Sequence, residues 1–185
     1  MIIYRLNEKN RSLIKDEIEA GAVFVYPTDT IYGIGCNALD SFAVKLIRKI
    51  KHRDEKPLSV IAPSKEWILE NCVLEDEHKK YLDKLPGAYT LVLNLRNRKA
   101  IAPEVSKGTL GVRIPNHWVS DMVRELGFPV VTTSVNVAGK KPVTKIDGIS
   151  KKVSKMIDFA IDEGELKNKP SKVIDLTGKK VVILR

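Results

Sequence analysis

Continuous apolar runs alternate along this chain with amphipathic segments whose apolar positions recur at helical spacing. Leu13, Ile14 and Ile18 share one face of a first helix, expected to be capped by Asn10 and stopped by Gly21. The unbroken apolar run at residues 22–26 reads as a strand buried on both faces. Ala43, Leu46, Ile47 and Ile50 keep the i, i+3, i+4, i+7 spacing of a second helix, capped by Asp40 and ending in cations around Lys51 and Arg53. A short strand is expected at residues 58–62. The polar, net-acidic region 64–84 reads as one or two helices, broken by Pro86-Gly87 before strands at 90–95 and 110–114. A helix at 117–126, a Val- and Thr-rich strand at 128–135, a basic helix near 149–157 and strands at 158–161, 172–176 and 180–184 complete the chain. This interspersion predicts an α/β fold, a twisted mixed sheet flanked by helices.

Composition narrows the class. At 185 residues with 43% apolar residues, one domain over residues 1–185 is expected, with enough apolar material to offset the entropy of ordering. No apolar stretch approaches the ~20 residues of a membrane span, and the N-terminal segment lacks the cationic-then-apolar pattern of a signal, so a soluble, cytoplasmic protein is expected. Cys36 and Cys72 form no C-x-x-C pair, and His52, His78 and His117 have no metal-ligand spacing, so no metal site built by the protein is expected. The net charge of +9 suits an anionic ligand or a nucleic acid, and is equally compatible with a role in solubility alone.

Three segments carry hydrogen-bonding side chains at period two, the spacing that puts residues on one face of a strand. Thr28, Thr30 and Tyr32 alternate with Asp29 and Ile31; Thr109 and Arg113 flank Gly111 and alternate with Leu110, Val112 and Ile114; Thr132, Ser134 and Asn136 alternate with Val131, Thr133 and Val135. A solvated sheet face would give the same pattern. The first and third rows, however, directly follow apolar runs, which places them at the C-terminal ends of buried strands, where ligands gather in open α/β sheets. Lys51 and Arg53 complement a helix C-terminus in the simplest explanation, while Lys56-Pro57 leading into a strand suggests a held loop, and arginine matches phosphate oxygens. Gly33-Ile34-Gly35-Cys36-Asn37-Ala38 satisfies a dinucleotide fingerprint, with Asp54 about twenty residues on, but it is set too far beyond the apolar strand and too far before the next helix to serve as one.

Four ordered motifs then carry a specific resemblance: residues 26–35, Tyr-Pro-Thr-Asp-Thr-Ile-Tyr-Gly-Ile-Gly; Lys51-x-Arg53 with Lys56-Pro57-Leu58; Gly111-Val112-Arg113-Ile114-Pro115; and Ser134-Val135-Asn136 with Gly139. Together they resemble the YrdC-like family of threonylcarbamoyl-adenylate synthases over nearly the whole chain. Pro170-Ser171-Lys172 resembles the family's Pro-Ser-Thr segment with Lys172 in place of Thr, and Ile183-Leu184-Arg185 its final arginine motif, with no C-terminal accessory domain expected after it. The resemblance implies a concave, positively charged cavity and the joining of L-threonine, bicarbonate and ATP into L-threonylcarbamoyl-adenylate with release of pyrophosphate. A partner of the universal tRNA threonylcarbamoyltransferase family would then complete the t6A modification at adenosine 37 of tRNA.

Residue by residue, the resemblance implies that Thr30, Arg113 and Thr132 contact threonine or its carbamate. It assigns Arg53, Thr109, Ser134, Asn136, Thr144 and Arg185 to ATP, and because phosphorus-centred transfer depends on charge stabilisation, Lys51 and Arg53 are the hypothesised catalytic pair that stabilises the transferring phosphate. Mg²⁺ is expected on the triphosphate. Ile61 stands near where members with a longer loop place a histidine. Two rival readings stay open. One is a non-catalytic module for tRNA or double-stranded RNA, suggested by six Lys/Arg against two acids over residues 45–56 and six Lys against one acid over residues 140–155. The other is a paralogue of the same fold with weak or different carbamoyl-adenylate activity.

Overall fold

The computed structural model describes residues 1–52, 56–136 and 142–185. In chain order it contains β1 (Ile2–Tyr4), α1 (Glu8–Glu19), β2 (Phe24–Tyr26), β3 (Gly33–Gly35), α2 (Ser41–Lys51), β4 (Ser59–Ile61), α3 (Lys65–Asn71) and β5 (Cys72–Val73). A 3₁₀ segment at Asp76–Lys84 leads to β6 (Tyr89–Leu95), β7 (Thr109–Arg113), α4 (Trp118–Leu126), β8 (Val130–Ser134), the short α5 (Lys151–Ser154), β9 (Phe159–Ile161), β10 (Lys172–Asp175) and β11 (Val182–Ile183). The strands join one mixed sheet in the order β1-β9-β2-β3-β8-β4-β7-β6-β10-β11, with β5 paired to β6. The expected α/β architecture is therefore observed, and no helix among the described residues is long and apolar enough to cross a membrane.

Alternation along the strands separates two apolar layers. On one face α1 and α4 bury Ile14, Ile18, Val119, Met122, Val123 and Leu126 against Phe24, Tyr26, Ile61, Val130 and Phe159. On the other, α2 and α3 bury Val44, Ile47, Ile50 and Ile68 against Val25, Ile34, Val60, Val112 and Val131. Neighbours such as Val60 and Ile61, or Val130 and Val131, thus serve opposite layers, as the pleat requires. Each such aliphatic side chain contributes about 1.5–3 kcal/mol by its removal from water.

Several local expectations are corrected. The cap of α1 is Asn7, and Asn10 is its reciprocal partner in a capping box, each side chain accepting from the other's backbone N–H. Asp40 does cap α2, accepting from Phe42 and Ala43 N–H. Region 64–84 holds one α-helix capped by Ser64, then β5, then the 3₁₀ segment. Gly33-Ile34-Gly35 is itself a strand, antiparallel to both β2 and β8. Its glycines answer to packing, since a Cβ on Gly35 would run into the Val131 carbonyl and come within 2.9 Å of Tyr26 Cε1. The first polar row is likewise no strand: residues 28–32 form the bend of the hairpin between β2 and β3.

Candidate active site

The α1/α4 layer covers only part of its sheet face. Along β8 the residues on that face pass from Val130, packed in the layer, to Thr132 and Ser134; in register, β4 passes from Ile61 to Ser59. Ser59 stands beside Gly111 of β7, and Ile61 beside Arg113. Where these rows turn polar a cavity of about 410 Å³ opens, within the range of small-molecule sites. Thr132, Ser59, Gly111, Thr109, Thr90 and Val173 form its sheet wall; Thr30 and Ile31 of the hairpin bend close one side; Ser171 and Arg185 close another. Gly111 keeps the floor open, because a Cβ there would press on the Ser59 hydroxyl and lie 3.3 Å from Thr90 Cγ2.

Arg113 is the charged centre of this wall. Standing in the row where packing is still apolar, it is only 6% exposed. Its Nη2 donates to Asp29 Oδ1 at 2.6 Å, and both terminal nitrogens lie 3.4 Å from Thr30 Oγ1. Burial pulls the guanidinium pKa down, the Asp29 charge opposes that pull, and Arg185 adds repulsion in the same direction as burial. Two cations thus converge on one polar cavity. Arg185 itself is held by the chain end: its Nε donates to the Ser171 carbonyl at 3.0 Å while its backbone carbonyl accepts from Val173 N–H.

Of the residues singled out in the sequence, Thr30, Thr109, Arg113, Thr132, Ser134 and Arg185 are brought together on the wall. Lys51 is placed differently. The residue is 4% exposed, and its ammonium donates to Ser134 O at 2.6 Å, Asn136 O at 2.7 Å and Asn136 Oδ1 at 2.6 Å, while Asn136 Oδ1 also accepts from Ser134 Oγ at 2.5 Å. The end of α2 is therefore tied to the end of β8, with Lys51 and Asn136 behind Ser134. Thr144 is exposed and off the wall, its carbonyl accepting from Leu166 N–H. Arg53 and Gly139 lie outside the described residues. The two departures from the family pattern are both away from the wall: Ile61 is buried in the α1/α4 layer and Lys172 is exposed.

Ser59 and Thr90 belong to the site outside every motif, and Ser171 and Asp29 belong to it from motifs that gave them no role of their own. Thr90 and Ser171 share a hydroxyl hydrogen bond of 2.9 Å across 81 residues, which no local pattern signals. A period of two places Asp29 on the face opposite Thr30, and it reaches Arg113 because the bend breaks that period.

A family model described as telomere recombination, covering Sua5, YciO and YrdC proteins, matches residues 16–185. A protein from Methanocaldococcus jannaschii, bearing the threonylcarbamoyl-AMP synthase name provisionally, is 39% identical over 191 residues, covering 99% of this chain and 90% of its own. The threonylcarbamoyl-AMP synthase of Pyrococcus abyssi is 33% identical over 189 residues, covering 98% of this chain and 55% of its own. The crystal structure of P. abyssi Sua5 complexed with L-threonine matches with a TM-score of 0.86 at 31% identity, over 100% of this chain and 56% of that one. This chain thus spans about half the length of the P. abyssi sequence and of the P. abyssi structure that it matches. With four fifths or more of its residues inside the family model and a fold shared along its whole length, the chain belongs to the Sua5/YciO/YrdC family.

Proposed function

We propose that this protein is an enzyme that makes L-threonylcarbamoyl-adenylate from L-threonine, bicarbonate and ATP, releasing pyrophosphate, for t6A formation at adenosine 37 of tRNA by a separate transferase. The observation that carries this reading is the buried Arg113 at the base of a cavity lined by hydroxyls, with Arg185 at its edge. Such a wall suits a ligand rich in anionic oxygens. The names of the relatives support the reaction, and the threonine complex of P. abyssi Sua5 supports the amino acid.

In this reading Thr30, Arg113 and Thr132 hold threonine and its carbamate, and Thr109, Ser134 and Arg185 hold ATP. Arg53 is assigned to the phosphates from the motif alone. The threonine amine combines with bicarbonate to give the carbamate and water. A carbamate oxygen then attacks the α-phosphorus of ATP, forming the acyl–phosphate bond as the bond to pyrophosphate breaks. The reaction asks the protein for alignment and charge stabilisation more than for a base, which matches a wall of Thr, Ser and Arg. Among the described residues that line the cavity no carboxylate is present to hold an ATP-borne Mg²⁺, so the ion would enter with the triphosphate, where it would neutralise oxygen charge. Lys51 acts here by holding Ser134 and Asn136, a supporting role rather than the phosphate contact expected from its motif.

A non-catalytic RNA module would carry its chemistry on an open basic face; the buried cation inside a cavity favours the enzyme. Pyrophosphate release in the presence of ATP, threonine and bicarbonate tests the proposal: release that needs all three supports it, and release indifferent to threonine, or none at all, defeats it.

A further inference from the structure

The geometry points to Asp29 as the positioning residue that sets the Arg113 guanidinium for the threonine carboxylate or carbamate; this rests on the cavity being the threonine site. Thr28 builds the bend that delivers it. Its Oγ1 accepts from Thr30 N–H at 3.1 Å and Ile31 N–H at 3.3 Å, and donates to the Ile31 carbonyl at 2.8 Å. At the tip of that bend the two oxygens of Asp29 serve different donors. Oδ1 accepts from Arg113 Nη2 at 2.6 Å and Oδ2 accepts from Asn116 N–H at 2.9 Å. The Asp29 backbone carbonyl accepts from Asn168 Nδ2 at 3.1 Å. Through its carboxylate and its backbone carbonyl together, Asp29 joins the hairpin bend to the end of β7, the loop after it and the loop before β10 around one arginine.

The consequence for binding follows from what is left over. The Arg113 and Asp29 side chains are only 8% and 11% exposed, so the pair is largely shielded from water. With Nη2 taken by Asp29, Arg113 Nε is buried and has no partner among the described residues. A buried unpaired donor is costly unless something accepts from it. The fork keeps Nη1 for the cavity, its hydrogen-bond contact among the described residues being Thr30 Oγ1 at 3.4 Å, and a ligand carboxylate or carbamate is the chemistry that would use it. An asparagine cannot replace Asp29 in this arrangement, since an amide has one acceptor oxygen and would face the second donor with an NH₂.

Asp29→Asn separates positioning from a general structural role. The expected result is a KM for threonine raised about tenfold or more, the equivalent of one mispaired buried contact, with the KM for ATP within about twofold of wild type. Thermal stabilisation by threonine should vanish in D29N while stabilisation by ATP remains. Combined with Arg113→Lys, D29N should add little further loss of threonine affinity, because both changes act on one fork. Where D29N folds poorly, Asp29→Glu carries the test through the same split, its longer stem displacing the guanidinium. Unchanged threonine KM, or threonine and ATP constants that rise together, overturns the proposal while leaving the enzyme reading intact. A wild-type protein with no response to threonine overturns both.

Discussion

Lys51→Met keeps the aliphatic stem of a side chain that is 4% exposed and removes an ammonium that reaches three acceptors at 2.6–2.7 Å. Two of those acceptors are backbone carbonyls at the end of β8, beside the cavity. A hydrogen bond to a charged group contributes about 1.5–3 kcal/mol net, and losing several is partly offset by relief of the buried charge's desolvation. A net loss of about 3 kcal/mol is the expected balance. For a chain of this length 1 kcal/mol moves the melting midpoint by about 2–4 °C, so K51M should melt about 6–12 °C below wild type. Its activity should fall chiefly through a raised KM for ATP, because Ser134 Oγ donates to the same Asn136 Oδ1 that Lys51 holds. Circular-dichroism melts and pyrophosphate-release kinetics on one preparation read both effects. A K51M protein that melts within about 2 °C of wild type while kcat drops about 100-fold would refute the reasoning, since that is the signature of an ammonium acting on the reacting phosphate.

Three further outcomes follow from named contacts. Arg113→Lys replaces a planar fork shared by Asp29 and Thr30 with a point charge, and should lower kcat/KM for threonine about tenfold or more in steady-state assays. Gly35→Ala sets a Cβ against the Val131 carbonyl and 2.9 Å from Tyr26 Cε1, both in the packed sheet, and should cost about 3 kcal/mol in urea unfolding. Burial, as the main cause, pushes the Tyr32 hydroxyl up to about 12 from 10.0. Its contribution is fully present below pH 10 and is lost as pH rises from 10 toward about 12, where the unfolded chain releases the proton first. Tyr32→Phe should flatten that alkaline limb, read as urea midpoints at pH ~9 and ~11, while losing about 1 kcal/mol at neutral pH with the Gly164 carbonyl and Glu163 N–H contacts.

The layers were legible in the sequence where periodicity is strong. Thr109, Gly111 and Arg113 do share a strand face, because β7 is a regular strand between two partners. α2 lies where Asp40 and its apolar spacing place it. The hairpin bend was misread because alternating Thr and Ile fit a strand, whereas the Thr28 hydroxyl ties the backbone into a turn. β1 and β3 were missed: the first is a short exposed edge, and the second owes its pairing to glycines that pattern rules demote. The sequence does not reveal that the end of β8 lies close enough to take the Lys51 ammonium. The Thr90–Ser171 and Asp29–Arg113 contacts join distant segments and become visible only once the sheet order is known.

Synthesis of a threonylcarbamoyl-adenylate is read without intermediates by following labelled bicarbonate into an adenylate with purified wild-type protein. Incorporation should require both threonine and ATP, match pyrophosphate release one to one, and fall sharply in R113K. Absence of labelled adenylate at any protein concentration, or incorporation that proceeds equally without threonine, would contradict it.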